Sequence, residues 1–237
     1  MQAFILAAGY GTRLKPLTDS RPKALVEVKG TPLIKITIDS LTRLGINRIV
    51  VNVHHFSNML IQYLHTHHWN TEIIISDESD MLLDTGAGLK KAEPLFAPDE
   101  PILIHNVDIL TRFDLTDLVR QHIDSMNYAT LAVSQRDTSR LLIFDMQDQL
   151  AGWKNSSTGE IRWTDEPISS FKQLAFSGIA MIQPQLVTML PPATHPYPII
   201  PAYLELAKNH RISYYKHKKD DWIDVGKPRA LTLAQNW

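Results

Sequence analysis

The chain has 237 residues, with 24 basic and 25 acidic side chains, so its formal net charge at pH 7 is −1. A balance this close to neutral argues against a protein whose main partner is nucleic acid or an anionic membrane. The lack of cysteine excludes disulfides, thiolate metal sites and thiol catalysis. No apolar run approaches the roughly 18 residues of a membrane span, and no leader precedes the first apolar run. The sequence therefore predicts a soluble, cytoplasmic protein.

The first half of the chain alternates strand-like and helix-like segments. Short apolar runs predict strands, and apolar residues at helical spacing predict helices. The predicted strands cover 3–6, 49–53, 72–76 and 101–106, and the predicted helices cover 33–44, 58–67, 88–96 and 114–125. This alternation predicts a sheet wound by right-handed crossovers, with ligands at the carboxyl ends of its strands. We expect an α/β fold, a Rossmann-like mixed but mainly parallel sheet flanked by helices.

From about residue 128 the segments are shorter and more β-like. The predicted strands cover 129–133, 141–145, 150–153, 174–182 and 212–215, and the predicted helices cover 198–209 and 227–235. Residues 154–173 are polar and turn-rich, which predicts a mobile loop. No linker divides the chain. We therefore expect one domain over 1–237, in which 128–237 elaborates the first half, 1–127.

A glycine loop, LAAGYGTRLKPL, begins at Leu6, where the first predicted strand ends. It lacks the third glycine of a dinucleotide fingerprint and the Gly-Lys-Ser/Thr of a P-loop. Gly9 and Gly11 would allow backbone N–H groups to approach a phosphate closely, and Arg13 and Lys23 would add two cations. The loop therefore predicts a site for a polyphosphate anion.

Five short sequence motifs follow one another along the chain. The glycine loop reads LAAGYGTRLKPLT and is followed by PKALVEV; later come LDTGAG from residue 83, NVD from residue 106 and WIDVGKP from residue 222. With them the chain resembles the sugar-nucleotide pyrophosphorylases, nucleotidyltransferases that join a nucleoside triphosphate to a sugar 1-phosphate. The resemblance covers nearly the whole chain. It implies a nucleotide-binding half at 1–127 and a sugar-binding half at 128–237.

The resemblance also implies roles for individual residues. Arg13 and Lys23 would be the catalytic cations on the triphosphate, and Asp108 and Asp224 would hold Mg²⁺, an ion that prefers carboxylate and phosphate oxygens. The implied nucleotide-binding residues are Leu6, Ala8, Gly9, Gly11, Thr12, Arg13, Lys23, Thr85 and Gly86. The implied sugar-phosphate-binding residues are Gly88, Asn106, Lys154 and Gly178, with Lys172 as the alternative to Lys154. No general base is required, because a sugar phosphate is already an ionised nucleophile.

Substrate choice is less well determined by the sequence. The LDTGAG loop and the FSGI strand at 176–179 resemble those of short, single-domain N-acetylmuramic acid 1-phosphate uridylyltransferases, which favours UTP and that sugar phosphate. The alternatives are a mannose-type guanylyltransferase and a phosphocholine cytidylyltransferase. A different class is a non-catalytic sensor of nucleotide sugars, although this chain keeps all four charged positions. Monomer and homo-oligomer both remain open.

Overall fold

The structure is a computed structural model that describes all 237 residues. Its strands are β1 (Gln2–Leu6), β2 (Glu27–Val28), β3 (Thr31–Pro32), β4 (Arg48–Val53), β5 (Glu72–Asp77), β6 (Ile102–Asn106), β7 (Ile109–Thr111), β8 (Ala129–Ser134), β9 (Arg140–Phe144), β10 (Leu150–Asn155), β11 (Ile161–Trp163), β12 (Lys172–Ile182), β13 (Ile212–Lys216) and β14 (Trp222–Asp224). Its helices are α1 (Leu33–Arg43), α2 (Ser57–Thr66), α3 (Asp84–Lys91), α4 (Leu115–Ser125), α5 (Pro184–Thr188), α6 (Ile199–Leu206) and α7 (Pro228–Ala234). None of these helices combines the length and apolar character that crossing a membrane requires.

Ten strands form one mixed sheet. Its path runs β11-β10-β9-β12-β6-β1-β4-β5, and β8 and β13 join it beside β12. The strands β6, β1, β4 and β5 run parallel, with β5 at the edge of the sheet, and β12 pairs antiparallel with β6. This architecture confirms the predicted α/β fold. It also brings the carboxyl ends of β1, β4 and β6 to one edge, where ligands of such sheets collect.

Both faces of the sheet are buried, because side chains of successive strand residues point to opposite faces. In β1, Ala3 and Ile5 pack on the face covered by α1, α2, α4 and α7. Phe4 packs on the other face, which α3, α5 and α6 cover. The central strands are therefore apolar without alternation, as expected for a parallel sheet between two helical layers.

The third helix begins earlier than predicted. Residues 88–96 were predicted to be helical, but α3 starts at Asp84 and includes Gly86 and Gly88. Both glycines are required by close packing rather than by a loop. A Cβ on Gly86 would lie 2.5 Å from the ring of Tyr197, and one on Gly88 would lie 2.6 Å from the Glu78 carboxylate. The glycines therefore allow α3 to pack closely against its neighbours.

The prediction of a mobile loop over 154–173 is wrong for the part of that segment that forms strands. It contains the end of β10, all of β11 and the start of β12, and β10 and β11 pair antiparallel. The turn between them closes through the amide of Gly159, which donates to the carbonyl of Asn155 at 2.9 Å. The strands are short here and the residues between them are polar and turn-rich, so the segment as a whole has the composition of a loop.

Candidate active site

A cavity of about 500 Å³ opens at the carboxyl edge of the central strands. Its lining residues are Leu6, Ala8, Gly9, Arg13, Lys23, Asn52, Glu78, Leu82, Asp84, Thr85, Asn106, Asp108 and Pro196. Eight of these were predicted as site residues from the sequence. A smaller cavity of about 330 Å³ between α1 and α7 contains none of the predicted residues.

The glycine loop offers free backbone amides at the end of β1. The amides of Ala7 and Ala8 donate to the Asn52 side chain at 2.6 and 3.2 Å. The amides of the next five residues, 9–13, have no acceptor within the protein. Consecutive free amides around a left-handed residue form a concave anion site. The free amides of the loop could therefore bind an anion from outside the protein.

Gly11 has the conformation on which this loop depends. Its φ is +66°, and a Cβ there would lie 2.9 Å from Thr18 and 3.0 Å from Lys23. The Thr18 hydroxyl donates to the Gly11 carbonyl at 2.9 Å. Only glycine combines the left-handed backbone with this close approach. Neither Gly11 nor Thr12 lines the cavity, so both act on its shape through the backbone.

Two cations face two carboxylates at this end of the cavity, where Arg13, Lys23 and Asp108 belong to the lining and Asp224 does not. Lys23 Nζ lies 3.0 Å from Asp108 Oδ2, and both side chains are largely buried. Arg13 lies 3.9 Å from Asp108 and 3.8 Å from Asp224, but its side chain is 54% exposed. The buried pair is therefore the stronger interaction, because solvent screens an exposed guanidinium. The four groups alternate in sign within one small volume.

A three-residue strand brings Asp224 to this site across more than a hundred residues of sequence. β14 pairs antiparallel with β7, so that Asp224 lies opposite Ile109. The amide of Val225 then donates to the Asp108 carbonyl at 2.9 Å. This pairing places the two aspartates on adjacent backbone segments.

Gly226 lies beside the carboxylates of Asp108 and Asp224, where there is no room for a side chain. A Cβ at this position would lie 2.6 Å from Asp108 Oδ2, 2.8 Å from Asp224 Oδ1 and 2.8 Å from an Arg13 nitrogen. The amide of Gly226 donates to Asp224 Oδ1 at 2.8 Å, which orients that carboxylate. Both carboxylates therefore converge on a space that any side chain would fill. Two carboxylates suit Mg²⁺, which commonly completes its shell with phosphate oxygens and water.

Two polar residues that were not predicted as site residues, Asn52 and Glu78, connect the glycine loop to α3. The Asn52 amide donates to Glu78 Oε1 at 2.8 Å, and the Leu83 amide donates to Glu78 Oε2 at 3.2 Å. Both side chains are almost fully buried, and burial raises the pKa of Glu78. A polar residue within the apolar run of β4, and an acid just after β5, were the signals available in the sequence. Together they link the glycine-loop side of the cavity to its far wall.

Thr85, Gly86 and Gly88 lie on that far wall. The Thr85 hydroxyl accepts from the amide of Ile199 at 2.9 Å and so caps α6 rather than its own helix. Thr85 lines the cavity, whereas Gly86 and Gly88 are buried behind it. The predicted loop is therefore the first turn of α3, held against the segment that leads into α6.

The predicted sugar-side residues are arranged less closely. Gly178 has a φ of +74°, and a Cβ there would lie 2.8 Å from the Asn106 side chain, which lines the cavity. Lys154 lies in β10 opposite Ile161, outside the cavity lining. Lys172 forms an ion pair with Asp148, which raises the pKa of Lys172.

The chain is similar to known proteins in both sequence and fold. The family model described as nucleotidyl transferase matches residues 2–148. The chain belongs to this family. This membership confirms the resemblance seen in the sequence, and the protein is a nucleotidyltransferase.

Relatives of this nucleotidyltransferase include enzymes for two sugar phosphates. It is 30% identical to the N-acetylmuramate alpha-1-phosphate uridylyltransferase of Caulobacter vibrioides, over 98% of this chain and 95% of the relative. It is 26% identical to the mannose-1-phosphate guanylyltransferase catalytic subunit beta of Dictyostelium discoideum, over 97% of this chain and 62% of the relative. The chain thus spans about two thirds of the guanylyltransferase.

Solved structures share the fold at low sequence identity. A protein described as a glucose-1-phosphate thymidylyltransferase from Bacillus anthracis superposes with a TM-score of 0.80 at 19% identity, over 100% of this chain and 94% of that one. The inositol-1-phosphate CTP transferase of T. maritima gives a TM-score of 0.77 at 16% identity, over 99% of this chain and 93% of that one. Both confirm the fold of the nucleotidyltransferase.

Proposed function

We propose that this nucleotidyltransferase joins UTP to N-acetylmuramic acid 1-phosphate and releases pyrophosphate. The Caulobacter vibrioides uridylyltransferase supports this choice, because the similarity extends over 95% of that enzyme's length. The product would be a nucleotide sugar, and the reaction would return a cell-wall sugar to biosynthesis in the cytoplasm. In this proposal residues 1–237 act as one domain, with the nucleotide on 1–127 and the sugar on 128–237.

The arrangement of charge in the cavity carries the proposal. Lys23 and Arg13 lie beside five free amides of the glycine loop, and all of these groups attract anions. No histidine lines the cavity, and its buried carboxylate Glu78 is held by two hydrogen bonds. A site built from anion-binding groups suits phosphoryl chemistry, in which positioning and charge stabilisation provide most of the catalysis.

The reaction needs one bond to form and one to break. An ionised oxygen of the sugar phosphate attacks the α-phosphorus of the triphosphate. The bond from the α-phosphorus to its bridging oxygen breaks, and the electron pair leaves with pyrophosphate. Lys23 would stabilise charge at the α-phosphate, and Arg13 would stabilise charge on the departing pyrophosphate. No proton transfer is required of the protein.

Asp108 and Asp224 would hold Mg²⁺. Their convergence on the space beside Gly226 fits a small hard cation that takes a few carboxylate oxygens. When bound, the ion would neutralise charge on the phosphates. The structure contains no group of three or more potential ligands, so the remaining ligands would be substrate oxygens and water.

The other predicted residues are proposed as substrate contacts. On the nucleotide side these are Leu6, Ala8, Gly9, Gly11, Thr12, Thr85 and Gly86. On the sugar-phosphate side these are Asn106, Gly88, Gly178 and Lys154. Lys154 is preferred to Lys172, because the latter is already paired with Asp148.

Pyrophosphate release tests the proposal. Purified protein with Mg²⁺ is supplied with UTP, GTP, CTP, ATP or dTTP, each combined with the 1-phosphates of N-acetylmuramic acid, N-acetylglucosamine, glucose or mannose, or with phosphocholine. We expect the highest kcat/KM for UTP with N-acetylmuramic acid 1-phosphate.

The other outcomes separate the alternatives. A preference for GTP with mannose 1-phosphate would replace the substrate assignment with the second candidate, which the Dictyostelium discoideum relative favours. Preference for another pair would also overturn the substrates while keeping the reaction. Nucleotide binding without pyrophosphate release from any pair would overturn the enzymatic proposal in favour of a sensor.

A further inference from the structure

Arg136, just beyond the end of β8, has an unusual number of contacts for a side chain with no assigned role. Its Nη1 donates to Ser134 Oγ at 2.8 Å, to Ser177 Oγ at 3.0 Å and to the Ala175 carbonyl at 3.1 Å. Its Nη2 donates to the Phe176 carbonyl at 2.5 Å. The fixed fork of a guanidinium suits such a set of acceptors, whereas an ammonium would reach fewer of them.

Three of these four acceptors lie on residues 175–177 of β12, next to an irregularity in its pairing. The pairing of β12 with β8 shifts register between Phe176 and Ala180, so the intervening residues leave the regular ladder. Carbonyls that lose ladder partners need other donors. Ala175 and Phe176 are the last paired residues before the shift, and Arg136 donates to both of their carbonyls. Within the irregular stretch, the indole N–H of Trp222 donates to the carbonyl of Ser177 at 2.8 Å. Two side chains therefore hold the bulge.

The same two side chains contact each other. The guanidinium carbon of Arg136 lies 4.0 Å from the centre of the Trp222 ring. A guanidinium over an indole face is attracted by the ring quadrupole, and the attraction strengthens as the pair loses water. Trp222 is thus fixed by Arg136 above its ring and by the Ser177 carbonyl at its edge.

Trp222 is the first residue of β14, and Asp224 is the third. A strand of three residues with one partner strand has few bonds of its own to hold it. The electrostatic attraction between Arg136 and Asp224 also opposes the lowering of the Arg136 pKa that burial causes. Arg136 therefore influences the start of β14 by contact and its end by charge.

We propose that Arg136 is a positioning residue, which holds Trp222 so that the Asp224 carboxylate stays directed at the space it shares with Asp108. This inference rests on the proposed role of Asp224 as a ligand of Mg²⁺. Arg136 itself is not among the residues that line the cavity.

The test compares Arg136→Met and Arg136→Lys with a matched control. The control is Arg162→Met, because Arg162 also stacks over a tryptophan, Trp153, at 5.4 Å, but lies on the β11 edge of the sheet. Calorimetry measures the binding of UTP to the full chain over a range of Mg²⁺ concentrations; a different triphosphate is used if the substrate screen selects one. Exchange of the Val225 amide is followed without metal, since that group donates to the Asp108 carbonyl.

We expect Arg136→Met to raise the Mg²⁺ concentration for half-maximal nucleotide binding about 10- to 100-fold, the range for partners that orient metal ligands. Saturating Mg²⁺ should restore binding. Arg136→Lys should show a smaller shift, Val225 should exchange faster in both, and Arg162→Met should change neither quantity. In an Asp224→Asn background, Arg136→Met should add no further Mg²⁺ requirement.

An unchanged Mg²⁺ requirement in folded Arg136→Met, or an equal shift in the Asp224→Asn background, would overturn the proposal. If Arg136→Met does not fold, the Mg²⁺ requirements of Arg136→Lys and Trp222→Phe test the proposal in its place. Trp222→Phe keeps an aromatic ring for Arg136 but removes the N–H that donates to the Ser177 carbonyl. Binding without pyrophosphate release in the wild type would count against the proposed function and leave this measurement valid.

Discussion

The two halves of the chain build the candidate site in different ways. In residues 1–127, Arg13 and Lys23 come from one short stretch, and Asp108 follows a strand beside β1. In residues 128–237, Asp224 reaches the site through β14, which has one partner strand and three residues. The first arrangement is set by the central sheet, and the second depends on tertiary contacts such as those of Trp222. We therefore expect changes in the first half to abolish the chemistry, and changes in the second half to weaken metal binding and geometry.

The largest effect should come from Lys23→Ala. Removing a positioned cation from a phosphoryl-transfer site should lower kcat about 10²- to 10³-fold. It also leaves Asp108 without its buried partner at 3.0 Å, so thermal stability should fall. Pyrophosphate release and thermal unfolding are measured together. Lys15→Ala is the matched control, because Lys15 lies in the same segment with 62% of its side chain exposed. Near-wild-type turnover by Lys23→Ala would remove this residue from the proposed chemistry.

Asp224→Asn should mainly change the Mg²⁺ requirement of the reaction, whereas Lys23→Ala should mainly lower kcat. The amide keeps the shape of the side chain but loses the charge that would hold Mg²⁺. We expect the Mg²⁺ requirement of pyrophosphate release to rise about 10- to 100-fold, with part of the turnover recovered at high Mg²⁺. The control is Asp220→Asn, an exposed carboxylate four residues earlier. An Mg²⁺ requirement equal to that of the wild type would separate Asp224 from the metal site.

Gly226→Ala sharpens the comparison further, since it changes the space between the halves without changing any charge. Its Cβ would lie 2.6 Å from Asp108 Oδ2 and 2.8 Å from Asp224 Oδ1, so at least one carboxylate must move. We expect turnover to fall about tenfold or more, as a displacement of about 1 Å in such sites costs up to 10²-fold.

The control for Gly226→Ala is Gly159→Ala. Gly159 has a φ of +77° and open space around it, so an alanine there is strained but contacts nothing. It should lower stability by about 1 kcal/mol and leave turnover unchanged. Equal losses of turnover in both variants would indicate a general effect of backbone strain rather than a blocked space.

The predictability of the fold follows the same division. Apart from α3, the predicted strands and helices of the first half agree closely with the structure, because apolar periodicity is local. The glycine loop could be singled out because its glycines and cations are neighbours in sequence. The partnership of Asp108 with Asp224 came only from the family resemblance. A strand of three residues is too short to show a periodic pattern, so the sequence predicts neither the strand nor its partner.

The errors also have physical causes. Composition does not distinguish a strand as short as β11 from a loop when polar, turn-rich residues surround it, and glycines required for close packing, such as Gly86, resemble those of a turn. Arg136 and Glu78 were missed because a single charged residue next to a strand is normally solvated. Only tertiary structure shows that Glu78 is buried and that Arg136 bonds to a bulge in β12.

The smallest expected effect concerns Glu78, which through Asn52 joins the glycine loop to α3 within the first half. Burial raises the pKa of Glu78 above its ordinary value of 4.5, so the folded state binds this proton more tightly than the unfolded state does. Stability should therefore fall as pH rises from about 4.5 to the raised pKa, by up to about 1.4 kcal/mol for each pH unit. Other carboxylates with lowered pKa values, such as Asp77, oppose this trend, so the wild type alone is uninformative.

Glu78→Gln keeps an acceptor for Asn52 but cannot titrate. Urea unfolding between pH 4 and 7 should show the wild type losing stability relative to Glu78→Gln as pH rises. A constant difference would mean that the Glu78 proton is not linked to folding, and that Asn52 and the Leu83 amide alone satisfy this carboxylate.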